Sequence, residues 1–279
     1  MLRILQVEWM KVKNYRTFWI LLAITLISIP AVNYMLYNIF NNSKGKSILA
    51  SSFVFPDVWQ TISWNSSLLF FIPAILIITL TTNEFTYKTH RQNVIDGWSR
   101  KQFVGAKLIE VFLLSVLTTI TVLVTALLFG YFNNKAGAAV TGPGIGGAAG
   151  MGTGAVDGSI WRESRFVLFY FVEMLSYSLI AFVMALFVKR AGLAMGLFFI
   201  YLIVEQIIVG ISWNKYHIEA ATYLPEQVTD QLIPFPYAKT LISKEANWEN
   251  HIPFYLLGAF IYVVIYCLAT GRKFLKSDL

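Results

Sequence analysis

The chain has 279 residues, 57% hydrophobic and 16% aromatic but only 13% charged. A soluble domain carries roughly 25% charged residues. The composition therefore excludes a soluble enzyme, a disordered regulator and a secreted disulfide scaffold, and describes an integral membrane protein. Cys267 is the only cysteine, so no internal bridge forms, and no Cys/His spacing suggests zinc. The net charge of +7 is informative here through its distribution among loops; no nucleic-acid partner is expected.

In chain order, residues 1–17 read as an interfacial helix at the cytoplasmic surface. Leu2, Leu5, Trp9 and Val12 recur three and four apart, with basic residues interleaved. A single six-helix transmembrane domain, 18–279, follows. About twenty apolar residues cross a bilayer, and six segments qualify: 18–40, 62–82, 108–132, 166–188, 192–212 and 252–270. The first is too long for a cleavable signal peptide, and no small-residue cleavage site follows Phe40. The second carries a polar outer third, Ser63, Asn65, Ser66 and Ser67. Pro30 and Pro73 are expected to kink the first two spans, and Pro253 suits a first helical turn.

With the N-terminus inside, 14 of the 22 Lys and Arg residues fall on the cytoplasmic side, which predicts cytoplasmic termini. The connection 84–107 is charged and rich in turn and helix signals: Asp96-Gly97 is a turn and Ser99 a cap for a helix from Arg100. The outer loop 133–160 has nine glycines between Gly137 and Gly158 and reads as flexible. The loop 213–251 is broken by Pro225, Pro234 and Pro236 yet stays apolar, which suggests short helices lying on or dipping into the outer leaflet.

Several motifs fail on context. Lys44-Gly45-Lys46-Ser47 lacks the upstream glycine of a phosphate-binding loop. The match to G-x-G-x-x-G from Gly142 to Gly147 follows no strand and opens no helix. No nucleophile–base set points to catalysis, so the chain is expected to be non-catalytic, with no metal or cofactor of its own. Glu173 and Glu205 are deeper in their spans than Glu110, by position about 10 Å below the outer surface. Intramembrane acids are functional candidates by default. Either they line a path for a cationic substrate or proton, or they are neutral or bonded to Ser176, Tyr177 or Gln206. Glu110 reads as reaching the interface. Gly192 and Gly196 form a GxxxG step for close helix packing. Trp59, Trp64, Trp161 and Trp213 outside, with Tyr15, Trp19 and Tyr87 inside, read as interface anchors.

The series Glu84, Thr89, Arg91, Gly97-x-Ser99-Arg100, Phe103 and Lys107 resembles the first cytoplasmic loop of ABC-2 type permeases. These are membrane subunits of bacterial ATP-binding-cassette exporters, including those conferring immunity to lantibiotics and bacitracin. The likeness extends to the whole layout, from N-terminal interfacial helix to proline-broken loop; the glycine-rich outer loop departs from it. The resemblance implies an all-α exporter fold of the ABC-2 (type V) kind in the bacterial cytoplasmic membrane. It implies a coupling helix that docks on a cytosolic ATPase subunit, which would bind the ATP and Mg. Lys88, Arg91 and Arg100 would then fix register, while Phe85, Val94, Ile95 and Trp98 would make the buried contact. Glu84 and Lys107, at opposite ends of the loop, are candidates to pair. A second permease copy or a homologous permease is implied as well, with the first and fifth spans at the interface. The alternative is a self-sufficient secondary transporter or channel coupling ions through Glu173 and Glu205.

Overall fold

A computed structural model describes residues 2–42, 50–87, 89, 99–140, 161, 163–213, 219–237 and 248–276. Among these it is helical throughout: α1 (Leu2–Lys13), α2 (Arg16–Asn42), α3 (Val58–Ser67), α4 (Phe71–Thr86), α5 (Arg100–Val140), α6 (Arg165–Val188), α7 (Ala191–Ile211), α8 (Pro225–Asp230) and α9 (Trp248–Lys276). Short 3-10 turns cover Ala50–Phe53 and Glu219–Tyr223. Five helices are long and apolar enough to cross a membrane, or six spans if the bent pair α3–α4 counts as one.

That pair is where the second expected span differs from a simple helix. Its halves meet at 46°. Pro73 has no N–H to offer the carbonyl of Leu69, and its ring crowds the preceding turn. The chain between the halves closes instead with tight three-residue bonds, Leu69 N–H to Ser66 O and Phe70 N–H to Ser67 O. The break thus falls at residues 68–70, just before the proline. α2 continues through Pro30 as one helix, whereas Pro253 differs from expectation. α9 begins at Trp248, which places Pro253 in its second turn instead of its first.

The polar third of the second span is explained by burial. Asn33 of α2 donates to Ser66 Oγ (3.1 Å) and accepts from Asn65 Nδ2 (3.0 Å). The Tyr237 hydroxyl reaches Asn65 Oδ1 at 3.4 Å. Gln60 donates to the Pro234 carbonyl at 2.9 Å. Polar side chains at membrane depth are tolerated when they satisfy one another, and here they fix α3 to α2 and to the segment after α8.

α6 is the hub, the most buried of the spanning helices, and it packs against α3, α4, α5, α7, α8 and α9. Small residues allow close approach on one side: Ala181 and Ala185 meet Ala74 of α4 and Ala194 of α7 in a cluster with Ile78 and Phe198. α6 ends where Lys189 takes a left-handed φ of 58° and donates its N–H to Ala185 O, and after the extended Arg190 α7 begins. Two further cores lie toward the two ends of the bundle. One gathers Phe53, Trp59, Phe166 and Tyr170, the other Leu76, Phe103, Phe182 and Leu186. Trp59 is therefore a core residue, fully buried and stacked on the exposed Trp161 at 5.7 Å, not an interface anchor.

Candidate functional site

Two clusters of ionisable side chains occupy opposite ends of the bundle. The first is at the base of α4 and α5, where the connection 84–107 departs. Lys107 Nζ lies 2.7 Å from Glu8 Oε2, 2.6 Å from Glu84 Oε1 and 2.9 Å from Glu110 Oε2. Lys11 adds a second ammonium, 2.7 Å from Glu8 Oε1 and 3.7 Å from Glu84 Oε1. The Lys107 side chain is only 3% exposed. An ammonium has three protons, and three carboxylates from three helices surround this one. Burial opposes ionisation of Glu8, but Lys107 and then Lys11 outweigh it and hold the carboxyl down at about 2.

The pairing of Glu84 with Lys107 is the one expected from the loop's ends. Glu8 was not legible as a partner, because its helical stripe points to Trp9 as the buried residue. In the structure Glu8 is buried and Trp9 is exposed. Glu110 pairs with Lys107, one turn away on α5, a contact that its expected place near the interface did not reveal. An apolar cleft of about 440 Å³ adjoins the cluster, walled by Phe18, Trp19, Leu22, Leu76 and Leu114 together with Glu8, Lys107 and Glu110.

The expected coupling residues fall partly within the described chain. Glu84 and Phe85 lie in the last turns of α4, and the Phe85 ring carries Lys189 Nζ 5.5 Å from its centroid. Thr89 Oγ1 donates to the Glu84 carbonyl at 3.4 Å. Ser99 caps α5 reciprocally with Gln102: the Gln102 N–H donates to Ser99 Oγ, and the Ser99 N–H donates to Gln102 Oε1. Arg100 is the first residue of α5. Lys88, Arg91, Val94, Ile95, Asp96, Gly97 and Trp98 lie outside the described residues.

The second cluster joins α6, α7 and α8. Glu173 and Glu205 are both buried, but their partners are not the near-sequence groups expected. Glu205 Oε1 accepts the backbone N–H groups of Glu226 (2.7 Å) and Gln227 (3.3 Å). These are the free amides at the start of α8, where a carboxylate is favoured by both hydrogen bonding and the helix dipole. Leu224 offers α8 no side-chain cap, so a glutamate from another helix does the capping. Glu173 has Ser67 as its hydrogen-bond partner and feels the charge of Asp230. The Tyr177 hydroxyl donates to Asp230 Oδ1 at 2.8 Å, and its ring stacks on Phe70 at 4.3 Å. Sequence spacing could not reveal Glu226 and Asp230, since they come from a short helix folded back into the bundle.

Gly192 and Gly196 are exposed, and a Cβ built on either finds no atom within 4 Å. Among the described residues, the GxxxG step therefore packs against nothing within the subunit. Among the described residues no group of three or more His, Cys, Asp or Glu side chains is arranged to hold a metal ion.

No curated protein gives a significant match to this sequence. The profile of the ABC-2 family transporter protein, in contrast, matches residues 4–205, a stretch that holds α1 through most of α7 and with them the Lys107 cluster, Glu173 and Glu205. With several apolar spans and a family match over well more than half its length, the chain is a multi-pass membrane protein and belongs to the ABC-2 family, the permease component of an ABC transporter.

Proposed function

We propose that this permease is the membrane subunit of an exporter, works as a dimer, and is driven by a separate cytosolic ATPase that binds the ATP and Mg. The N-terminus, α1 and the 84–107 connection lie on the cytoplasmic side, as the Lys/Arg distribution favours. The single observation that carries the reading is the Lys107 cluster. It ties α1, α4 and α5 together where the connection leaves the bundle. Force applied to a loop anchored this way passes into three helices instead of being absorbed by slack. The open glycine face of α7, with Leu193, Leu197 and Ile200 exposed beside it, suits a second copy or a homologous permease.

The ion-coupled alternative asks Glu205 to bind and release an ion. One of its two carboxylate oxygens, Oε1, is already committed to two backbone amides, which favours the ATPase-driven reading. The test is a mild-detergent pulldown of the tagged full-length chain from its host, with ATP hydrolysis assayed on the eluate. A stoichiometric ATPase, lost on reversing the charges of Arg91 and Arg100, is the expected result. A chain that purifies without a partner or ATP hydrolysis, under conditions that keep other such complexes intact, overturns the reading.

A further inference from the structure

An open groove of about 460 Å³ lies between α7 and α8, bounded by Phe70, Tyr177, Gln206, Glu226, Asp230 and aliphatic side chains of α7, of which Ile203 and Ile207 are exposed. This is within the size range of small-molecule sites. Its polar side is acidic. Glu226 is 2% exposed, and its Oε1 is buried with no hydrogen-bond partner. Asp230 Oδ1 takes one bond from Tyr177. The groups that face Glu226 are Asp230 on its own helix, Glu205 and Tyr201 from α7, Tyr177 from α6 and Tyr266 from α9. They are acids and phenols; among the described residues no lysine or arginine contributes.

A buried carboxyl oxygen without a partner is costly, and a family of acids without a base leaves that cost uncompensated unless a cation or proton arrives. We propose that this groove is a binding site for an organic monocation, a primary ammonium or guanidinium group carried on an apolar body. Glu226 and Asp230 would accept its N–H groups, with the Gln206 amide oxygen beside them. The stacked Phe70–Tyr177 pair offers a ring face to the charge, and Leu202, Ile203 and Ile207 take the apolar body. A bare metal ion suits the place poorly: the room is too large and too apolar, and the acids do not converge as ligands.

Without the cation, the surroundings push both carboxyls toward their protonated forms. Burial, then the Glu205 carboxylate, then Asp230 push the Glu226 carboxyl up to about 9. Burial likewise raises Asp230 to about 7, although the Tyr177 hydroxyl pulls the other way. An arriving ammonium therefore displaces a proton, and binding tightens as pH rises.

This inference adds a ligand class to the permease reading, and the binding experiment needs no ATPase, so either can fail alone. The purified full chain in detergent is titrated calorimetrically with hexylammonium chloride, with hexanol as the neutral control. Expected are saturable binding of the amine but not of the alcohol and a proton released on binding. Affinity should also rise about tenfold or more from about pH 6 to about pH 9. Glu226→Gln weakens binding about tenfold and reduces the pH dependence to the part that Asp230 carries, near pH 7. Gln206→Ala, which removes an acceptor and no charge, weakens it less and serves if Glu226→Gln does not fold. Equal binding of amine and alcohol, or binding by folded Glu226→Gln or Gln206→Ala indistinguishable from the parent, overturns the proposal.

Discussion

Replacing Lys107 by methionine keeps the length and apolar stem of the side chain and removes only its charge and donors. Three carboxylates within 2.9 Å of Nζ lose their common partner, and Lys11 remains close to only two of them. Hydrogen bonds to charged groups are worth about 1.5–3 kcal/mol each, so a plain sum over three would reach about 5–9 kcal/mol. That sum overcounts, because the ammonium had to be stripped of water to enter the cluster. Truncating one partner of a buried ion pair costs about 3–5 kcal/mol in practice. The carboxylates left behind can take up protons, and Glu110 is 20% exposed and regains some water. We expect about 3 kcal/mol, the lower end of that range.

The assay is reversible denaturant unfolding of the purified chain in detergent, read by far-ultraviolet circular dichroism as a shift in midpoint at constant slope. The double variant Lys107→Met/Glu8→Gln removes one orphaned carboxylate along with the lysine. It should be more stable than the sum of the single losses by about 1–3 kcal/mol, since residues in contact couple. A Lys107→Met midpoint within about 0.5 kcal/mol of the parent, the scatter of an ordinary surface substitution, refutes the argument. So does a double variant whose loss is the simple sum of the two. Either result means that the cluster is effectively hydrated and does not bind α1 to α4 and α5.

Two further outcomes follow from the same geometry. Glu8 has its pKa held down at about 2 from the ordinary carboxyl value of 4.5, so its stabilising contribution is fully present above about pH 4.5 and is lost as pH falls toward about 2. Unfolding midpoints measured down the acid range should drop across that window, and Glu8→Gln should flatten the drop. The two glycine sites should separate sharply. At Gly130 an added methyl runs into the Phe55 ring, so Gly130→Ala should lower stability by about 1–3 kcal/mol through overpacking. At Gly196 nothing lies within 4 Å of a Cβ. Gly196→Leu should leave monomer unfolding unchanged while shifting a dimer toward monomer on size-exclusion chromatography with light scattering; an unshifted dimer places the interface elsewhere.

Much of the fold was legible because membrane crossing imposes a length and a composition on each helix. The two-residue step from α6 to α7 and the cap at Ser99 follow from local chemistry that a sequence displays directly. The broken second span was half legible. Pro73 announced a disturbance, but its place before the proline depends on which carbonyl loses its partner. The buried role of Ser66 and Asn65 depends on Asn33, a residue more than thirty positions away. The acids show the same limit more clearly. Glu173 and Glu205 stood out because they sit in apolar runs, whereas Glu226 and Asp230 sit in a proline-broken outer loop, where acids are ordinarily solvated. Only the folding of α8 back against Glu205 makes them buried acids. Glu8 was hidden by a pattern that predicts an apolar stripe, since an amphipathic count does not register a carboxylate drawn inward by a lysine 99 residues away.

The two clusters are connected by a single rigid element. α4 ends near Glu84, which holds Lys107. It begins after Phe70, which stacks on Tyr177, the donor to Asp230. Sixteen helical residues span about 24 Å, so one helix reaches from the clamp to the rim of the acidic groove. α3, on the other side of the break, is fixed by Asn33, Tyr237 and the Gln60–Pro234 bond. The joint between them is bonded by tight turns and lacks the proline's N–H. In the permease reading, displacement of the 84–107 connection would move α4 about that joint. The first side chains to feel it at the far end would be Phe70 and Tyr177, and through Tyr177 the carboxylate of Asp230. Hinges of this kind need only a few element-terminal residues to absorb the backbone change, and residues 68–70 hold that place between two half-helices that both pack on α6.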